Sequence, residues 1–124
     1  MRSKICLASI HTPDMQPLAD ITWNNNKELY CKTKGYDYRL KKQTERYSGF
    51  DKILFLETII KEQKHDYILW CDCDTLITNF NKNIEELIDK NYHFFLTTDV
   101  NGINGGVFLI RVSPEGLKYF YHIK

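Results

Sequence analysis

The sequence predicts an α/β layered domain built on a mostly parallel sheet flanked by helices. Short apolar runs alternate with helical patterns in the order β-α-β-α-β-α-β-β-α, which suits helices packed on a sheet. A composition that is 43% hydrophobic and 14% aromatic supports a packed core rather than disorder. The 124 residues suit one domain, 1–124, which buries about two-thirds of the surface its unfolded chain exposes.

"KICLASI" (4–10) reads as a buried strand, broken by His11, Thr12 and Pro13. Residues 18–34 read as a helix, with Gly35 as its C-cap after the basic Lys32 and Lys34. "YDYRL" (36–40) is a second strand. In "SGFDKILFLETIIKEQK", Phe50, Ile53, Leu54, Leu56, Ile59 and Ile60 recur at spacings of three and four, one apolar helical face, with Ser48 and Asp51 as a capping pair. "DYILWCDCDTLI" (66–77) is a strand running into a loop. "NIEELIDK" (83–90) is a short helix capped by Asn83. "HFFLTTD" and "GGVFLIRV" are two further strands. Ser113 and Pro114 suit the N-cap and first position of a last helix.

Lys plus Arg number 17 against 16 Asp plus Glu, a net charge of +1. So even a balance supplies no field to recruit nucleic acid or an anionic membrane. No apolar run is long enough for a transmembrane helix. "MRSKICLASIHTPDMQP" reads as a first strand rather than a signal peptide. The four cysteines are then expected to be reduced thiols, and the chain as given to be cytoplasmic.

"WCDCDTL" (70–76) interleaves two thiols with two carboxylates. Side chains alternate along a strand, so an extended 68–74 would put Asp72 and Asp74 on one side, about 7 Å apart, and Cys71 and Cys73 on the other. The carboxyl ends of strands are where open α/β sheets bind ligands. Two carboxylates there suit Mn²⁺ or Mg²⁺, which take one or two carboxylates plus waters and phosphate oxygens. Zinc is the weaker reading. It wants four N or S ligands, whereas one C-x-C stands here, with Cys6 and Cys31 distant and His11, His65, His93 and His122 scattered. The cysteines read instead as small buried residues. A D-x-D alone also arises by chance in loops; its place after "YILW" is what strengthens it.

Four stretches in order, "ICLASI" with "YCKTKGYDYRL", "GFDKILFLETII", "YILWCDCDTLITN" and "GINGGVFLIRVS", resemble the nucleotide-sugar-dependent glycosyltransferases of the GT-A fold. The nearest likeness is to the retaining galactosyl-, mannosyl- and xylosyltransferases of glycosyltransferase family 34. The resemblance spans nearly the whole chain and implies a GT-A-like (Rossmann-like) domain, here its nucleotide-sugar-binding part. It implies that Asp72 faces the ribose and the metal and that Asp74 is the firm metal ligand, with Mn²⁺ or Mg²⁺ as cofactor. Lys52, on the polar side of its helix, would lie near the donor; a solvated helix lysine is the plainer alternative. Asn104 and Gly105 would shape the sugar and acceptor pocket, Asn104 within the catalytic set, with Gly106 as the motif's glycine. Asn-Gly is equally a turn dipeptide. Ser9 and Thr12 would meet the nucleobase. Asp99 would contact sugar or acceptor hydroxyls, or simply cap a turn.

The reaction implied moves a sugar of the galactose, mannose or xylose class from a UDP- or GDP-sugar to a glycan hydroxyl, with retention. No protein nucleophile stands out, so front-face attack assisted by the leaving phosphate is expected. The family's catalytic domain is longer, and its later part supplies a histidine whose context His122 does not match. The chain is therefore expected to be incomplete at its carboxyl end, and a longer eukaryotic parent would be a Golgi membrane protein. A catalytically inactive nucleotide-sugar-binding module is the alternative. A nucleotidyltransferase fits less well, because "ASIHTPDMQP" lacks the Gly-rich phosphate loop expected after the first strand.

Overall fold

The computed structural model describes residues 4–43, 49–99, 102–114 and 116, with backbone alone at 49–50, 97–99 and 102–105. Five strands form one sheet: β1 (Ile5–His11), β2 (Asp37–Lys42), β3 (Tyr67–Cys71), β4 (Phe94–Asp99) and β5 (Gly102–Arg111), in the spatial order β2-β1-β3-β5-β4. β1 pairs parallel with β2 and β3, while β5 runs antiparallel to both β3 and β4. The sheet is thus parallel in its first three strands and mixed as a whole. Only positions 100 and 101 separate β4 from β5, and a parallel partner would need a crossover of a dozen residues or more.

The first helical segment is longer and less regular than the expected 18–34. A 3₁₀ turn (Pro13–Met15) leads into helix α1 (Gln16–Ala19), a π-helix (Asp20–Lys27) and helix α2 (Glu28–Lys34). Gly35 ends it at φ 76°, the left-handed conformation glycine adopts without a Cβ clash, and the Tyr36 N–H closes on the Cys31 carbonyl at 2.9 Å.

Helix α3 (Gly49–Lys61) covers the other face. Leu56 and Ile59 are buried, and Ile53, Phe55 and Ile60 pack beside them. Leu54, expected on the apolar face, is 42% exposed. One helical step past Ile53 carries it off the stripe, and Phe55 takes the place assigned to it. Ser48, the expected cap, lies outside the described residues. The expected helix at 83–90 shrinks to a 3₁₀ turn, Ile84–Leu87, whose Glu86 carboxylate accepts the Asn83 N–H at 2.7 Å. Ser113 Oγ accepts the Gly116 N–H at 3.0 Å, as an N-cap should; most of the last expected helix lies outside the described residues.

Strand alternation sorts the core into two layers. Ile5, Leu7, Leu69, Cys71 and Leu109 point toward Trp23, Tyr30 and Cys31 of the first helical segment. Cys6, Ala8, Ile10, Ile68, Trp70, Phe108 and Ile110 point toward α3. A chain of polar contacts, Glu62–Arg39–Asp37–His65, ties the residues just after α3 to β2, at 2.7 Å for each link. Among the described residues, no helix is long and apolar enough to cross a membrane.

The helical register is testable. Leu56→Ala should cost about 2–5 kcal/mol of unfolding free energy in a urea melt. Leu54→Ala, on the solvent side, should cost less than about 0.5 kcal/mol.

Candidate active site

β3 ends at Cys71. The next N–H, that of Asp72, donates to the Gly106 carbonyl of β5 at 2.8 Å. The Asp72 carbonyl then accepts both the Thr75 N–H, at 3.0 Å, and the Thr75 hydroxyl, at 2.6 Å. Residues 72–75 therefore form a turn, and the expected extended stretch 68–74 is shorter than the alternation argument assumed. Asp72 and Asp74 share this turn rather than one side of a strand. Turn geometry still sorts the side chains as strand geometry would have: Cys71 and Cys73 are buried, Asp74 is exposed and Asp72 is partly exposed.

Asp72 is held from two sides. Its Oδ1 accepts the indole N–H of Trp70 at 2.6 Å and lies 3.4 Å from Lys52 Nζ. Lys52 reaches it from α3, where it sits four and seven residues before Leu56 and Ile59. That spacing puts it on the sheet-facing stripe, not the polar side expected from the sequence. Its ammonium hangs 4.9 Å from the centroid of the Trp70 ring and 5.8 Å from that of Phe108. Aromatic faces attract a cation by roughly 1 kcal/mol at such distances. The lysine stem thus covers apolar surface while its charged head stays at the aspartate.

The thiols are poor ligands. Burial pushes the Cys71 thiol up to about 12 and raises that of Cys73 as well. Both pack into the apolar cluster beneath the first helical segment, and a thiol binds metal as its thiolate. A cation at this turn would find oxygen donors. Among the described residues no group of three or more His, Cys, Asp or Glu converges. Two carboxylates at a sheet margin match a hard divalent ion that takes its remaining ligands from water and a diphosphate.

β5 is shaped to meet this turn. Its pairing with β4 jumps from Leu96↔Phe108 to Thr97↔Asn104, so residues 105–107 bulge out of register with β4, while Val107 stays paired with Cys71 of β3. The Gly106 carbonyl that takes the Asp72 N–H is the next rung of the β3–β5 ladder after Cys71↔Val107; the irregularity lies on the β4 side of the strand. Asn104 and Gly105 therefore lie in the strand stretch beside the aspartate turn. Asp99 pairs with Gly102 at the tip of the β4–β5 hairpin, farther along.

Of the two residues expected at a nucleobase, Thr12 lines a cavity of about 340 Å³ with His11, Pro13, Gln16, Lys42 and Gln43, beyond the carboxyl end of β1. The Thr12 hydroxyl donates to Asp14. Ser9 is buried within β1 and does not line it. His11 is buried with Nε2 3.0 Å from Gln16 Oε1, and its Nδ1 has no hydrogen-bond partner among the described residues.

The sequence reading missed His11 and Gln16, and it missed a polar group beneath the aspartate turn. Thr22, Asn26 and Lys27 of the π-helix are all buried, Lys27 to 0% exposure. Lys27 Nζ donates to the carbonyls of Thr22, at 3.2 Å, and Cys73, at 3.3 Å. Burial lowers its pKa, against the opposing pull of Cys71, Cys73, Asp74 and Asp72. The only sequence signal was a run of polar residues, "TWNNNK", inside a helical stretch.

The thiols supply a pH test. Cys6, Cys31 and Cys71 are all pushed from 9.0 up to about 12 by burial. The unfolded chain gives up these protons above about pH 9 while the folded chain keeps them, so stability should fall as pH rises from about 9 toward 12. Urea melts at pH 8 and pH 10 should show the loss, and Cys71→Ala should lessen it. At pH 8, alkylation of the native protein should be slow at all three.

A family model for the galactosyl transferase GMA12/MNN10 family matches residues 7–91, well over half the chain. No curated protein sequence matches it. Among solved structures, a glycosyltransferase involved in glycosylation of the major capsid of PBCV-1 superposes with a TM-score of 0.77 at 21% identity, covering 97% of this chain and 64% of that one. The glycosyltransferase GlyE of Streptococcus pneumoniae TIGR4 gives 0.61 at 14% identity, over 98% of this chain and 38% of that one. A mutant Drosophila β-1,4-galactosyltransferase 7, in complex with manganese, UDP-Gal and xylobiose, gives 0.62 at 16% identity, over 98% and 61%. The chain thus spans less than two-thirds of the length of each. At these identities the neighbours establish the fold, a GT-A-like glycosyltransferase α/β sheet. The match over residues 7–91, on that fold, makes the chain a member of the galactosyl transferase GMA12/MNN10 family.

Proposed function

We propose that this chain forms the donor-binding part of a metal-dependent glycosyltransferase. It would move a sugar of the galactose, mannose or xylose class from a UDP- or GDP-sugar to a glycan hydroxyl. The observation that carries this reading is the aspartate turn at the carboxyl end of β3, with Asp74 exposed, Asp72 partly exposed, and the Gly106 carbonyl locked to it at 2.8 Å. The neighbour solved with manganese, UDP-Gal and xylobiose supports it through the shared fold.

Asp74 and Asp72 would hold Mn²⁺ or Mg²⁺, which when bound neutralises charge on the departing diphosphate. Lys52, 3.4 Å from Asp72, would hold that carboxylate in place and add a cation within reach of the phosphates. The cavity at His11, Thr12 and Gln16 would take the nucleobase, leaving the diphosphate to run along the carboxyl edge of the sheet toward Asp74. Asn104 and Gly105, on the bulged strand, would border the transferred sugar, with Asp99 farther out toward the acceptor. Fixing donor and acceptor in this order lowers the barrier by orientation and preorganised charge. Retention with front-face attack is the stereochemical reading that goes with it.

Coverage of only 64% of the viral neighbour keeps a second reading in play, in which the chain holds a nucleotide sugar without turning it over. Metal-dependent release of nucleotide diphosphate from a donor sugar supports the enzyme; tight binding without release supports the module.

Asp74→Ala should abolish Mn²⁺-dependent binding of UDP in calorimetry, and unchanged binding would remove the metal role. Lys52→Met should weaken donor binding about tenfold through loss of a charged partner, with a cooperative thermal melt retained.

A further inference from the structure

The π-helix offers three buried polar side chains to one short piece of backbone. The Thr22 hydroxyl donates to the Cys73 carbonyl at 2.6 Å, and Lys27 Nζ reaches the same carbonyl at 3.3 Å. Asn26 pairs with Ile77 in both directions. Its Oδ1 accepts the Ile77 N–H at 2.7 Å and its Nδ2 donates to the Ile77 carbonyl at 2.9 Å, as a neighbouring strand would. Two anchor points, Cys73 and Ile77, thus bracket Asp74 and the end of the aspartate turn.

The wide turn is what makes this possible. In a π-helix the backbone bonds i to i+5, as the Glu28 N–H does to the Trp23 carbonyl, and the Lys27 ammonium folds back onto the carbonyl of Thr22, five residues earlier. Residues 22, 26 and 27 then share a face. π-turns cost backbone energy and recur at functional sites. An ammonium with 0% exposure is expensive to desolvate, and a lysine at such a place is uncommon unless it is paired. Stability alone would be served as well by an apolar side chain of the same length. The carbonyl it grips lies between the two proposed metal ligands.

We propose that Lys27, with Thr22 and Asn26, is a positioning residue for the metal site: the π-helix clamps the Cys73 and Ile77 backbone and so sets the relative placement of the Asp72 and Asp74 carboxylates. This rests on the reading of those aspartates as metal ligands, but the clamp itself is measurable without it. Lys27 touches neither metal nor substrate. It acts through the Cys73 carbonyl, as outer partners of metal ligands generally do, and loss of such partners costs about 10–100-fold in metal affinity.

The experiment compares wild type with Lys27→Met, which keeps length and removes the ammonium, and with Thr22→Val. Three quantities are read: the thermal melt, amide hydrogen exchange, and calorimetric affinity for Mn²⁺ with UDP. In Lys27→Met the melt should remain cooperative while the Thr75 and Ile77 amides exchange about tenfold faster and those of Leu7, Leu69 and Trp70 are unchanged. Affinity for Mn²⁺ with UDP should fall about tenfold, and UDP alone should bind as in wild type. Exchange at Thr75 and Ile77 unchanged in a folded variant overturns the clamp, as does equal or tighter Mn²⁺ affinity where wild type binds. Should Lys27→Met fail to fold, Thr22→Val decides by the same two readings. Wild type failing to bind Mn²⁺ with UDP would overturn the metal reading, while exchange would still judge the clamp.

Discussion

The hydrogen bond from the Asp72 N–H to the Gly106 carbonyl, 2.8 Å long, sits where β3 stops being a strand. It is the last link between the parallel half of the sheet and the antiparallel hairpin, and it joins two stretches 34 positions apart in sequence. It is the rung that follows Cys71↔Val107 in the antiparallel β3–β5 ladder, so the aspartate's N–H is paired before the chain turns away. The turn that follows can then expose its carboxylates without leaving buried backbone groups unsatisfied.

Charge around the turn is arranged in two tiers. Lys52 approaches Asp72 from the α3 side, lying on the Trp70 and Phe108 rings. Lys27 approaches from the opposite face, buried under the turn and bonded to backbone. One cation is partly open to solvent at the carboxylate itself; the other is sealed behind the peptide between the two aspartates. The thiols of Cys71 and Cys73 fill the apolar layer on that inner face and stay protonated. The interleaved C-x-C and D-x-D therefore divide their labour by burial, the sulfurs packing and the oxygens facing water.

Much of this was readable in advance because strand period two and helix spacing three-to-four are local. β1, β2 and β3 stand close to their expected places, as does the Gly35 cap. α3 was found, but its face was rotated: the apolar run Ile53-Leu54-Phe55-Leu56 satisfies several stripes, and only packing against Trp70 selects the one with Phe55 inside, Lys52 beside the sheet and Leu54 out. The extended pairing expected for 68–74 stopped at Cys71 because the Asp72 carbonyl closes a turn with the Thr75 N–H and hydroxyl instead of continuing the ladder. Of the expected base contacts, Thr12 lines a cavity and Ser9 is buried in β1. A residue's place on a strand says which face it takes, not whether that face is open.

The sequence by itself determined the α/β alternation, the family to which the chain belongs, and the pair of carboxylates after a buried strand, because each is carried by neighbouring residues in one stretch. Tertiary structure alone decided that β5 joins β3 antiparallel, that Lys52 meets Asp72, and that Thr22, Asn26 and Lys27 of "TWNNNK" turn inward as a clamp. Those outcomes depend on groups 20 to 51 positions apart satisfying each other's charges and backbone bonds, and no local pattern encodes which distant partner will arrive.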